Sequence, residues 1–290
     1  MGCQFLGPLY SAGFKDAGFV ICPIPYDATA SYGVGARNGP ARIIEASQQL
    51  ELFDEELEIE PYQVGIHTIP PLETPIEPQK AKELCQSKAK ELFGQKKTPI
   101  FVGGDHSISI GIIEAASHIF DRLTVLQLDA HTDMRDEYQG TRLSHACVAR
   151  RAMERCDVVQ AAIRSSSKEE WEFLKKTNAL PITAALIKKD LKNATQNILT
   201  RINTKNLYIT IDVDCLDPSI MPATGTPEPG GLNWYELTYI VRETIKHHRI
   251  VGFDVVELAP IPGLHYPEFT CARLIYKIIG YICEARSKAR

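Results

Sequence analysis

None of the eight cysteines, at positions 3, 22, 85, 147, 156, 215, 271 and 283, forms a CxxC pair. Several lie inside apolar stretches, so reduced thiols are expected rather than a disulfide framework. No apolar run is long enough to span a membrane. The first residues carry no basic stretch ahead of a long apolar core, and Leu6 stands where a myristoylation motif wants Ser or Thr. Neither a secretory leader nor a lipid anchor is therefore expected, and the cytoplasm is the expected compartment. Positive charge is not in excess: the net charge is -4 and the pI about 6.1, which argues against nucleic acid or an anionic membrane as partner. Internal repeats, low-complexity tracts and Pro/Gly/Ser-rich linkers are missing as well, so residues 1–290 are expected to form one domain.

What is present is an alternation. Short apolar runs at 19–22, 99–102, 123–128, 158–163, 206–213 and 250–255 read as strands, with a weaker one at 62–66. Helical patterns fall at 38–42 and beyond, 79–93, 107–117, 144–155, 235–248 and 268–286. A capping box, Ser167-Lys-Glu-Glu170, opens one more helix. Short runs without polar alternation, each followed by a helix, predict an α/β fold: a central, mostly parallel sheet between two helical layers. The segment 214–231 breaks the rhythm with four prolines and three glycines and fits neither element. A loop of that length in a compact domain is usually functional or disordered, and this one leaves a strand that ends in Asp-Val-Asp.

Ligands of open parallel sheets bind beyond the carboxyl ends of the strands, and here the polar clusters sit at those ends. They are Gly103-Gly-Asp-His106, Asp129-Ala-His-Thr-Asp133, Asp212-Val-Asp214 and Glu257. In an extended segment, residues i, i+2 and i+4 point the same way. Asp129, His131 and Asp133 can then converge, as can Asp212 and Asp214. Four carboxylates crowded together repel unless cations neutralise them. A set of four Asp and two His without a thiolate suits two manganese ions better than a structural zinc. A lone Asp after a strand is more often a turn or capping residue, and Asp105, followed by Ser107 and an apolar helix, is read that way. His247 and His248 end a helix, and His67, His118 and His265 have no partner motif. His145, just after Ser144, reads equally as a capping-region histidine or as a group facing the cluster.

Taken with Ser31-Tyr-Gly-Val-Gly-Ala-Arg-Asn-Gly-Pro40, Ser144-His-Ala146, Thr210-Ile-Asp-Val-Asp-Cys-Leu-Asp-Pro218, Gly225-Thr-Pro-Glu-Pro-Gly-Gly231 and Gly252-Phe-Asp-Val-Val-Glu-Leu-Ala-Pro260, these motifs resemble the ureohydrolase family of arginase, agmatinase and relatives over nearly the whole chain. The resemblance implies a three-layer α/β/α fold, two manganese ions per chain, and a homo-oligomer, trimeric or hexameric. It implies His106, Asp129, His131, Asp133, Asp212 and Asp214 as metal ligands, Glu257 as the guanidinium-binding carboxylate and His145 as the proton shuttle. Thr226 is implied near the substrate. The implied reaction is attack of an activated water on a guanidinium carbon, with Asp133 accepting a hydrogen bond from the nucleophile and His145 protonating the departing amine.

The loop after Asp133, Met134-Arg-Asp-Glu-Tyr-Gln-Gly-Thr-Arg142, is similar to that of agmatinases and differs from the Asn-containing arginase version. Agmatine, cleaved to urea and putrescine, is the first expectation, with Asp136 or Glu137 either accepting its distal ammonium or simply solvated. Aminopropylagmatine follows closely. Guanidinobutyrate would call on Arg135 or Arg142, and arginine fits less well. A deacetylase-type amide hydrolase, holding a single zinc, is the alternative from another class.

Overall fold

Apolar runs with β-branched residues and no polar alternation have to be covered on both faces, and here they form strands sealed between helices. The computed structural model describes residues 4–288, so part of the segment read for a leader lies outside the described residues. Its strands are β1 (Phe19–Ile24), β2 (Ile66–Thr68), β3 (Thr98–Gly103), β4 (Leu123–Leu128), β5 (Asp157–Ile163), β6 (Ile182–Thr183), β7 (Asn206–Asp212) and β8 (Arg249–Val256). The helices are α1 (Gly39–Ser47), α2 (Pro78–Phe93), α3 (Ile108–Ile119), α4 (Val148–Met153), α5 (Lys168–Lys176), α6 (Ala184–Lys189), α7 (Leu191–Arg201), α8 (Trp234–His247) and α9 (Tyr266–Lys288).

The sheet order is β2-β1-β3-β8-β7-β4-β5-β6. Every pairing is parallel, where the sequence predicted a mostly parallel sheet. One core joins the sheet to α1, α7, α8 and α9 through Ile43, Ile198, Ile240 and Ile275. The other joins it to α2, α3 and α4 through Cys85, Ile112 and Val148. These are the three layers. No described helix is long and apolar enough to cross a membrane.

Three local expectations are corrected. Residues 62–66 do not form a strand: Pro61–Val64 is a 3-10 turn, Gly65 has a φ of 82°, and the strand begins only at Ile66. The helix read over 144–155 is split into a 3-10 turn at His145–Cys147 and the short α4. The backbone N–H of His145 is taken by the Thr29 hydroxyl at 3.0 Å, which ties that first turn to a distant loop. Between 177 and 205, where no element was read, β6, α6 and α7 occur, with Thr183 and Asp190 supplying side-chain N-caps.

Candidate metal centre and active site

The four strands that carry the polar clusters, β3, β8, β7 and β4, are consecutive in the sheet. Their register brings the carboxyl ends level. Leu128 pairs with Ile211, Ile211 with Val255, and Val102 with Val255. The next residues along each strand therefore leave the sheet at one height, and Asp129, Asp212 and Glu257 meet there.

Two groups of ligating atoms result, one of His106, Asp129 and Asp212, the other of Asp129, His131 and Asp214. His106 Nδ1 lies 3.2 Å from Asp129 Oδ2, 3.1 Å from Asp133 Oδ2 and 3.5 Å from Asp212 Oδ2. His131 Nδ1 lies 2.9 Å from Asp214 Oδ2 and 3.7 Å from Asp129 Oδ1. Asp129 thus turns one oxygen to each group. Asp133 has a φ of 49° and Glu257 a φ of 68°. Left-handed backbone at non-glycine residues is costly and concentrates at functional sites.

The residues fit divalent ions on two observations. His106 Nδ1 is buried and makes no hydrogen bond, although three carboxylates face it. Its other nitrogen is already engaged: Nε2 contacts Thr210 Oγ1 at 2.8 Å, and that hydroxyl donates to Asp254 Oδ1 at 2.6 Å. Nδ1 is then the atom left for a cation. In addition, four buried aspartates outnumber the two histidines that could balance them, and bound cations would remove the deficit.

Charge crowding shifts the protonation of these candidate ligands. Burial opposes protonation of His131, but Asp214 and Asp129 outweigh it and hold the imidazole up to about 10. Burial likewise works against a charged His106, and Asp129, Asp133 and Asp212 carry it well above its usual range. Burial and Asp129 push Asp133 up to about 7, and burial with Asp214 raises Asp212 strongly. Without cations, the cluster keeps protons that isolated aspartates would release.

Beside this cluster lies a cavity of about 310 Å³, lined by His131, Asp133, Tyr138, His145 and Thr226 among others. His145 therefore faces the cluster. Its ring sits among hydroxyls, with Thr29 Oγ1 3.4 Å and Ser144 Oγ 3.3 Å from Nδ1, and Ser31 Oγ 3.4 Å from Nε2. Burial lowers its pKa against the opposing pull of Asp105. Glu257 Oε1 accepts the backbone N–H of His106 at 2.6 Å, which leaves Oε2 for a ligand. Burial and Asp105 hold the Glu257 carboxyl well above the usual range. Gly33 and Gly225 close one side of the site: Gly33 N donates to Gly225 O at 3.2 Å, and a Cβ on Gly33 would lie 2.8 Å from the Gly225 backbone.

The sequence model of the arginase family matches residues 17–280. The chain belongs to the arginase family. It is 38% identical to the N(1)-aminopropylagmatine ureohydrolase of Synechocystis over 98% of this chain and 95% of that one. It is 32% identical to the agmatinase of Pyrococcus horikoshii over 94% of both chains. The solved agmatine ureohydrolase of Thermoplasma volcanium superposes with a TM-score of 0.91, covering 100% of this chain and 97% of that chain at 28% identity. As an arginase-family ureohydrolase, the chain is an enzyme that hydrolyses carbon–nitrogen bonds of guanidino-type substrates.

Within this arginase-family site the substrate-loop expectations divide. Thr226 lines the cavity. Asp136 does not: its carboxylate is drawn outward to Arg151 at 2.5 Å, Arg142 at 3.2 Å and Arg150 at 3.9 Å. Glu137 is exposed and is not among the lining residues. Arg142 is occupied by Asp136 and Glu154, whereas Arg135 reaches the cavity wall and stacks on Tyr138 at 4.8 Å. Asp105 is a turn residue, as read, accepting from Ser107 N at 3.0 Å. It also accepts from Thr29 N at 2.9 Å and so anchors the loop that touches His145.

Several positioning residues went unread. Glu170, noted as the far end of a capping box, also accepts from Thr132 Oγ1 at 3.0 Å and Met134 N at 2.9 Å, which moors the Asp129–Asp133 segment to α5. Gln160 donates to Thr132 O at 2.6 Å and to Gln127 Oε1 at 2.9 Å, and Gln127 donates to Asp129 Oδ2 at 2.7 Å. Arg164 spends its guanidinium on the carbonyls of Asp214, Leu216, Glu228 and Pro229. Asp254 takes Ser109, Tyr208 and Thr210 hydroxyls. The available signal for Asp254 was a carboxylate in the middle of an apolar strand, which has to find partners.

Proposed function

We propose that this enzyme hydrolyses a guanidino amine, agmatine or its aminopropyl-extended analogue, to urea and an amine with two manganese ions bound. The observation that carries the reading is the pair of candidate ligand groups sharing Asp129, set beside a cavity that His145 lines, with Glu257 bound to the backbone N–H of His106. His106, Asp129, His131, Asp133, Asp212 and Asp214 would hold the ions. Ions held there would supply Lewis-acid chemistry that makes a water nucleophilic near neutral pH. Glu257 orients the planar guanidinium through charge-assisted hydrogen bonds. Asp133 accepts a hydrogen bond from the attacking water. His145, cradled by Thr29, Ser31 and Ser144, delivers a proton to the departing nitrogen, which as a free amide anion would be a very poor leaving group.

The longer substrate has support of its own. The Synechocystis relative is named for aminopropylagmatine. A second cavity of about 640 Å³ backs onto the first through Ser165, Ser166 and Ser167, with Trp171 in its wall, and gives an extended amine somewhere to go. The test is urea release from a panel of agmatine, aminopropylagmatine, guanidinobutyrate and arginine, with manganese and again after chelation. Urea from the first two, lost on chelation, is the expected result. No urea from any of them, or one zinc per chain with amide hydrolysis, overturns the reading.

A further inference from the structure

A guanidino amine carries a second cation at the end remote from the reacting carbon, and an anion within reach of that end would select for it. The acids around the cavity are mostly committed. Asp129, Asp133, Asp212 and Asp214 face the metal positions. Glu257 serves the guanidinium end. Glu170 accepts from Thr132, Met134 and Ser167. Asp136 is held by three arginines.

Glu228 differs from all of these. It stands in the Gly225-Thr-Pro-Glu-Pro-Gly-Gly231 loop two residues after Thr226, which lines the cavity. Its Oε1 lies 3.9 Å from His131 Nε2, beyond hydrogen-bond range, and its side chain is 37% exposed. The main chain beneath it is clamped. Arg164 Nη2 donates to Glu228 O at 2.7 Å and Arg164 Nε to Pro229 O at 3.1 Å, while Gly230 N and Gly231 N donate to Asp217 Oδ2 at 2.9 and 3.1 Å. A carboxylate on a fixed backbone, solvated on one side and 3.9 Å from the cavity-lining His131 on the other, is preorganised for a cation that arrives with the substrate.

We propose that the Glu228 carboxylate receives the distal ammonium of the substrate and so selects guanidines that end in an amine. This rests on the guanidino-amine reading above. The competing role is structural, in which Glu228 steadies the His131 ring against the metal, as carboxylates often do for ligating histidines. The two roles separate by substrate. Agmatine and butylguanidine share a four-carbon chain and a guanidinium, but only agmatine carries the ammonium.

In the manganese-loaded enzyme, Glu228→Gln is expected to reduce the agmatine-to-butylguanidine ratio of kcat/KM by about ten- to a hundredfold, chiefly through the KM for agmatine. Manganese affinity, measured by chelator competition, should match the parent enzyme. Glu228→Lys should shift preference toward 4-guanidinobutyrate. An unchanged ratio, or equal losses on both substrates with weakened manganese binding, overturns the proposal. If the parent enzyme releases no urea from any guanidine, the reading beneath it has failed instead, so the two failures are told apart.

Discussion

His145 illustrates how little a side chain's identity says without its surroundings. A histidine at the head of a helical turn is commonly a capping-region residue, yet here its ring meets hydroxyls from residues 29, 31 and 144 and lines the cavity. Replacing it with Asn should lower kcat by about a hundred- to ten-thousandfold, the usual worth of a positioned proton donor. Steady-state kinetics with agmatine would check this, and a variant within threefold of the parent would remove His145 from the mechanism. His106 depends on partners further out. Thr210→Val breaks the link from its Nε2 to Asp254 and should weaken manganese binding about ten- to a hundredfold while the fold survives. Chelator competition followed by a thermal melt of the metal-free protein separates lost affinity from lost folding.

Elements act here through their ends. Strands β3, β8, β7 and β4 were legible because their apolar runs stop at Gly, Asp or Glu, and the candidate site residues His106, Glu257, Asp212 and Asp129 stand at or just beyond those stops. The capping box at Ser167–Glu170 was legible for the same local reason, being a pattern within four residues. The short elements between 177 and 205 were not, because two-residue strands and six-residue helices carry too little periodicity to stand out. The loop 214–231 is held from outside by Arg164 and from within by Asp217. Gly33→Ala should disturb its far side. The added methyl meets the Gly225 backbone at 2.8 Å, which cannot rotate away as a side chain could. We expect at least a tenfold loss of kcat/KM and a lowered melting temperature, with a stability cost of about 1–3 kcal/mol as for other overpacked contacts. Full activity in this variant would show that the two loops move freely past each other.

At the scale of the whole molecule, metal binding, protonation and stability are one linked system. The cluster without ions keeps protons on His106 and His131 and has Asp133 and Asp212 raised. Ligation requires these groups to lose their protons, so manganese uptake should release protons, and affinity should rise with pH. The sign is fixed by competition: below about pH 7 Asp133 must also give up its proton, and affinity gains further as pH rises toward about 10, where His131 loses its own. Calorimetry in two buffers of different ionisation enthalpy would measure the release, and equal heats in both would contradict it. Ions that bind only the folded chain at a hundred times their Kd should add about 2.7 kcal/mol of stability, visible as a higher Tm that chelation reverses.

The sequence by itself determined the alternation of strands and helices, the acids and histidines at four strand ends, and the family resemblance that the comparisons then bore out. These are local matters of period, burial and spacing, and they need no knowledge of what lies across the molecule. Only the tertiary structure decided that β3, β8, β7 and β4 stand side by side at one height, because sheet order depends on crossovers that no local pattern encodes. It likewise turned Asp136 outward to three arginines, gave Glu170 its second task and pinned the backbone under Glu228. A charged side chain has several partners within reach, and which one it takes depends on distances between segments far apart in the chain.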